Sequence, residues 1–245
     1  MKDTIFKFKQ FNLSQGKSAM KLGTDSVILG AYVQATQSNK ILDIGTGTGI
    51  LSLMMAQQSN AIIQAVELDE LAAEEAQFNF EQSPWSEQIK LFKGAIQEFT
   101  LHYPPNQFDL IISNPPYFTA GHQFEIEQQN RRMARHTHHL SFDELAKMLS
   151  VHLTDQGIAA IVLPTAEAET FMGIAHDFEL YPKEVLKVFP KLSKPYNRMV
   201  ILFSKEKQIT LEKELIIYKE DHTYTQAYYE LTKEYYLWKD IPTAQ

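Results

Sequence analysis

The chain has 245 residues, 44% of them hydrophobic, and a formal charge of -7. That length and apolar content suffice for a buried core of sheet and helices, and the absence of cysteine excludes disulfides, thiolate metal sites and cysteine nucleophiles. No run of eighteen apolar residues and no basic-then-apolar leader is visible, so we expect neither a membrane span nor a secretory signal, and a cytoplasmic location.

The charge is unevenly spread. Between Ile41 and Ile89 there is no Lys or Arg but eight acidic residues, which leaves the rest of the chain at +1. Basic residues gather instead at Lys2 to Lys21, at Arg131, Arg132 and Arg135, and at Lys183 to Arg198, so a locally basic face is compatible with an acidic protein.

In chain order, Lys40 to Gly45 reads as a short apolar strand ending in glycine, and Ile50 to Gln58 as a helix. Ala61 to Leu68 is a second strand and Glu70 to Gln82, rich in Ala and Glu, a second helix. Ile89 to Phe92 and Phe108 to Ser113 are further strands, the latter apolar enough to be covered on both faces. The polar stretch from Asn114 to Leu140 shows no period, and loops of that length inside compact domains are commonly functional. Ser141 followed by Glu144 is a capping-box signature opening a helix to about His152. Strands at Gly157 to Leu163, Glu184 to Phe189 and Met199 to Phe203 follow, with a helix at Ala166 to Asp177. The expected fold is a doubly wound α/β domain with a mostly parallel, seven-stranded, Rossmann-like sheet. Residues 205–245, with a strand near Leu215 to Tyr218 and a helix from Thr225 to Leu237, form an extension packed on that domain.

Asp43-Ile44-Gly45-Thr46-Gly47-Thr48-Gly49 lies between a strand and a helix, where glycines permit a tight turn and close approach of a nucleotide-like ligand. The spacing is neither that of dinucleotide enzymes nor that of a phosphate-binding P-loop. An acid before the glycines would repel a pyrophosphate but suits a cation such as a sulfonium amino acid, which favours S-adenosylmethionine. Glu67, ending the second strand about twenty residues on, can accept from both ribose hydroxyls. Ala95 and Ile96, after the third strand, border the same place.

Asn114-Pro115-Pro116-Tyr117 follows the fourth strand, at the sheet edge where open α/β folds bind ligands. An amine conjugated to a purine is a poor nucleophile because its lone pair is delocalised. The Asn114 side-chain oxygen and the Pro115 carbonyl can accept its two N–H bonds and draw it toward tetrahedral geometry. Tyr117 offers a flat face for a base, which has to leave its stack to reach such a site. Positioning and electrostatics then carry the in-line methyl transfer, and no metal is required.

DIGTGTG together with NPPY resembles the N-methyltransferases of amino groups conjugated to a π-system, which act on DNA or RNA adenine or on release-factor glutamine. The flanking Phe8-Lys9-Gln10, the stretch Met20 to Gly30 (MKLGTDSVILG) and Arg132-Met133-Ala134-Arg135-His136 resemble bacterial tRNA adenine-N6 methyltransferases acting at adenine 37 of a valine tRNA. The likeness runs from about Phe6 to Phe203. It implies that residues 1–30 cover the cofactor, with Lys21, Thr24 and Asp25 closing the pocket, and that tRNA is the substrate. Arg131, Arg132, Arg135, Lys191, Lys194 and Arg198 are the candidates for RNA contact. Two alternatives stay open. A glutamine-N5 methyltransferase of release factors shares NPPY but usually has a helical domain before the glycine loop, and a non-catalytic cofactor-binding partner subunit would have no chemical use for Asn114 and Tyr117.

Overall fold

The computed structural model describes residues 5–18, 20–116 and 140–239. A short hairpin of β1 (Ile5–Lys7) and β2 (Asn12–Ser14) precedes α1 (Thr24–Tyr32). Then come β3 (Lys40–Ile44), α2 (Ile50–Gln58), β4 (Ile62–Glu67), α3 (Glu70–Glu81), β5 (Ile89–Lys93), α4 (Ile96–His102) and β6 (Phe108–Ser113). After residue 139 follow α5 (Phe142–His152), β7 (Leu153–Pro164), α6 (Thr165–Asp177), β8 (Tyr181–Lys191), β9 (Arg198–Ser204), β10 (Leu211–Tyr218) and α7 (Gln226–Thr232).

The sheet has eight strands in the order β10-β8-β9-β7-β6-β3-β4-β5. This corrects the expected seven. β10, read from the sequence as part of an appended tail, joins the sheet parallel to β8 in the register Leu215 to Val188, and its alternation buries Leu215 and Ile217. From β7 to β5 the strands are parallel, and β9 enters antiparallel to both β7 and β8. The chain winds from β3 out to β5 and returns to β6 on the other side of β3. That reversal opens a crevice at the carboxyl ends of the central strands.

Strand alternation explains the two cores. Ile41, Leu110 and Ile112 face one side of the sheet, beneath α1, α2, α3 and α7; Leu42 and Ile111 face the other, beneath α4, α5 and α6. Each fully buried Leu or Phe contributes roughly 1.5–3 kcal/mol relative to exposure. The expected capping box is present at α5: Ser141 Oγ accepts the Glu144 N–H, and the Glu144 carboxylate accepts that of Ser141.

Candidate active site

A cavity of about 330 Å³ lies at the carboxyl ends of β3, β4, β5 and β6, within the size range of small-molecule sites. Its lining brings together Gly45 and Gly47 of the glycine loop, Glu67 at the end of β4 with Asp69 just beyond, Gly94 to Gln97 after β5, and Asn114 to Pro116 after β6. No basic side chain is among the described residues lining it.

The loop is shaped by backbone geometry. Gly49 has φ 87°, and a Cβ there would come within 2.4 Å of the Phe80 ring, so the turn into α2 demands glycine twice over. The Gly45 and Thr46 N–H groups both bond to the Val66 carbonyl, at 2.9 and 3.1 Å. Asn79 of α3 donates to the Thr48 carbonyl at 2.8 Å and to the Ser14 carbonyl at 2.9 Å, so one side chain ties the loop to the N-terminal segment.

Glu67 is preorganised. Its carboxylate accepts the Gly47 and Asp69 N–H groups, both at 2.8 Å. Burial pushes its pKa up, and those N–H groups offset part of the rise. Asp43 occupies a different place from the one its sequence position suggests. It is fully buried beneath the loop and absent from the cavity lining, where Oδ2 accepts from Thr46 Oγ1 (2.5 Å), Ser52 Oγ (2.7 Å) and the Ser52 N–H (3.1 Å). Its Oδ1 has no hydrogen-bond partner among the described residues. Burial raises the Asp43 pKa to about 6 despite these bonds.

At Asn114 the side chain is split between two roles. Nδ2 donates to Ser26 Oγ at 2.8 Å, while Oδ1 is buried with no hydrogen-bond partner among the described residues. A buried amide oxygen left unpaired is costly and is a standing acceptor for a donor entering the cavity.

Of the other sequence candidates, Ala95 and Ile96 line the main cavity, and Lys21 lines a smaller adjoining one of about 40 Å³ with Ser26, Thr48 and Asn114. Lys21 Nζ donates to the Gln15 carbonyl. Thr24 is exposed at the start of α1 and lines neither cavity, so it does not close the pocket in this conformation. Arg198 pairs with Asp25 at 2.8 Å, and Lys191 Nζ bonds the Glu220 carbonyl at 3.0 Å and His222 at 3.1 Å, so both are committed within the protein. Lys194 is exposed. Because Arg198 pairs in register with Pro164, which ends β7, the β8–β9 turn sits at the same sheet edge as the cavity. Tyr117, Arg131, Arg132 and Arg135 lie outside the described residues. Ser18, Met20, Ser26, Ser113 and Leu140 also border the two cavities, and the sequence alone assigns none of them a role of its own, although Met20 and Ser26 fall in the stretch Met20 to Gly30.

Residues 15–168 match the model of the methyltransferase small domain. A tRNA1(Val) (adenine(37)-N6)-methyltransferase of Bacteroides thetaiotaomicron is 40% identical over 97% of this chain and 99% of its own, and one of Haemophilus influenzae is 39% identical over 95% and 98%. The chain belongs to the tRNA1(Val) (adenine(37)-N6)-methyltransferase family. Solved structures share the fold at low identity. A predicted O-methyltransferase from Agrobacterium tumefaciens aligns with TM-score 0.66 at 17% identity, over 86% of this chain and 96% of that one. TYW2 of M. jannaschii, solved in complex with AdoMet, aligns with TM-score 0.53 at 14% identity, over 82% and 84%.

The cavity suits the cofactor of this methyltransferase family, S-adenosylmethionine. It offers an acid at the end of β4 for ribose hydroxyls, a glycine loop open to close approach, the Asn114 amide oxygen, which has no partner among the described residues, and no cation among the described lining residues to oppose a sulfonium. Among the described residues no group of His, Asp and Glu could hold a metal, and no helix is long and apolar enough to cross a membrane.

Proposed function

We propose that this protein methylates the exocyclic N6 of an adenine in tRNA, at adenine 37 of tRNA1(Val), with Asn114 and Pro115 holding the target amine. The observation that carries the assignment of Asn114 is its buried Oδ1, without a hydrogen-bond partner among the described residues, in a cavity that also holds Glu67 and the glycine loop. Bound S-adenosylmethionine supplies an electrophilic methyl group.

The rest is positioning by this chain. Glu67 would accept the ribose hydroxyls of the cofactor, and Ala95 and Ile96, which line the same cavity, would border its adenine. Asn114 Oδ1 accepts one N–H of the target and the Pro115 carbonyl accepts the other, which localises the nitrogen lone pair and aims it along the line of displacement. Tyr117 stacks on the flipped base. Arg131, Arg132, Arg135 and Lys194 contact phosphates, and Lys191 and Arg198, held by Glu220, His222 and Asp25, brace the β8–β9 turn. A tRNA substrate places this work in the cytoplasm.

Nucleoside mass spectrometry of tRNA from cells lacking the protein tests the reading. N6-methyladenosine should disappear from one tRNA and return on incubation with purified protein and S-adenosylmethionine. The Asn114→Ala variant should fail to restore it while binding the cofactor with nearly unchanged affinity. An unchanged nucleoside profile in the deletion strain would refute the tRNA assignment.

A further inference from the structure

Ser26 lies 88 residues before Asn114, in the stretch Met20 to Gly30 but with no role assigned to it by the sequence, and its hydroxyl is the one described partner of the Asn114 side chain. We infer that Ser26 is a positioning residue for methyl transfer: by accepting from Asn114 Nδ2 at 2.8 Å, it fixes the amide plane so that Oδ1 is presented to the target amine. This rests on the role proposed for Asn114.

The geometry around Ser26 holds it to that task. It is buried in the first turn of α1, and three contacts fix α1 against the domain. The neighbouring Asp25 pairs with Arg198 at 2.8 Å, which ties the start of the helix to the β8–β9 turn. Gly30, at the far end, packs so closely on α2 that a Cβ there would lie 2.6 Å from Met54 Sδ. Gln58 of α2 donates to the Gly30 carbonyl at 2.8 Å. A helix clamped at both ends delivers the Ser26 hydroxyl to a fixed point.

The chemistry requires such an anchor. The Asn side-chain amide rotates about a soft, broad torsion, and its two ends are nearly isosteric but opposite in hydrogen-bond sense. A rotated amide would set an N–H donor against the N–H groups of the amine. With Nδ2 held by Ser26, the end that can accept is the one left facing the cavity. The placement also links the turn at Arg198, through consecutive residues Asp25 and Ser26, to the group that touches the reacting nitrogen.

The test compares Ser26→Ala with Ser26→Thr, which keeps the hydroxyl. In the cofactor-free protein, proton exchange of the Asn114 side-chain amide, assigned by its loss in Asn114→Asp, should be about tenfold faster in Ser26→Ala and near normal in Ser26→Thr. In turnover, kcat of Ser26→Ala should fall about tenfold, with cofactor Kd and tRNA KM within about twofold, and Ser26→Thr should recover most of it. Unchanged amide exchange and kcat in Ser26→Ala would overturn the inference, as would equal losses in kcat and cofactor affinity, the mark of a purely structural role. Absence of N6-methyladenosine formation by the unaltered protein would instead defeat the reading of function, while the amide exchange still reports whether Ser26 anchors Asn114.

Discussion

The Glu67 carboxylate accepts the Gly47 N–H at 2.8 Å, so the end of β4 and the glycine loop after β3 form one preassembled wall of the cavity. Replacing Glu67 by Gln keeps the shape but removes the charge and one acceptor from that wall. A hydrogen bond to a charged group contributes about 1.5–3 kcal/mol, so titration calorimetry of Glu67→Gln should show cofactor affinity weakened roughly 10- to 100-fold. At saturating cofactor, kcat should change little, because the contact proposed for Glu67 is with the cofactor ribose and not with the target amine. An unchanged Kd would remove Glu67 from the ribose site.

Gly49→Ala should destabilise the fold. A non-glycine residue at φ 87° costs of order 1–3 kcal/mol, and overlap with the Phe80 ring adds a comparable amount. Denaturant unfolding should show a loss of about 2–4 kcal/mol, partly recovered when Phe80→Leu relieves the overlap.

Much of this was legible in the sequence, for physical reasons that differ by element. β3, β4 and β6 are apolar runs because both faces of the central sheet are covered, and Ser141 with Glu144 names its helix start by a local bond. The glycine loop, Glu67 and Asn114 announce themselves by chemistry at strand ends, and the fold brings them to one cavity. What stayed hidden is non-local. α1 lies in the stretch read as a cofactor cover, and its Ser26 meets Asn114 only through packing on α2. α4 is seven residues long, too short for a clear period, and β1 and β2 have three residues each. Asp43 looks from its position like a ligand group, whereas its Oδ2 is consumed by Thr46 and Ser52, whose hydroxyls face back under the loop. The Asp25 to Arg198 pair, which turns a candidate RNA contact into a brace, spans 173 residues and leaves no local trace.

Asp43 gives the protein a pH signature. Its folded pKa of about 6 lies above the ordinary 3.8, so between those values the folded state holds a proton that the unfolded chain has released. This contribution to stability is complete below about pH 4, is lost as pH rises toward 6, and is flat above; the shift corresponds to about 3 kcal/mol. Denaturation of the cofactor-free protein across this window should show that falling component, and its slope should vanish in Asp43→Asn.

Reversing Arg132 and Arg135 to Glu should weaken tRNA binding and flatten its salt dependence, since each lost phosphate contact removes about one unit of the logarithmic slope. Cofactor affinity should not change. Filter binding at several salt concentrations measures both quantities, and an unaltered slope would exclude these arginines from phosphate contact.

The most direct test of the central claim is methyl incorporation from labelled S-adenosylmethionine into two tRNA1(Val) transcripts, one with adenine at position 37 and one with guanine there. The account predicts stoichiometric N6-methyladenosine in the first and no incorporation in the second. Equal labelling of both, or of neither while a release factor is methylated in parallel, would contradict it.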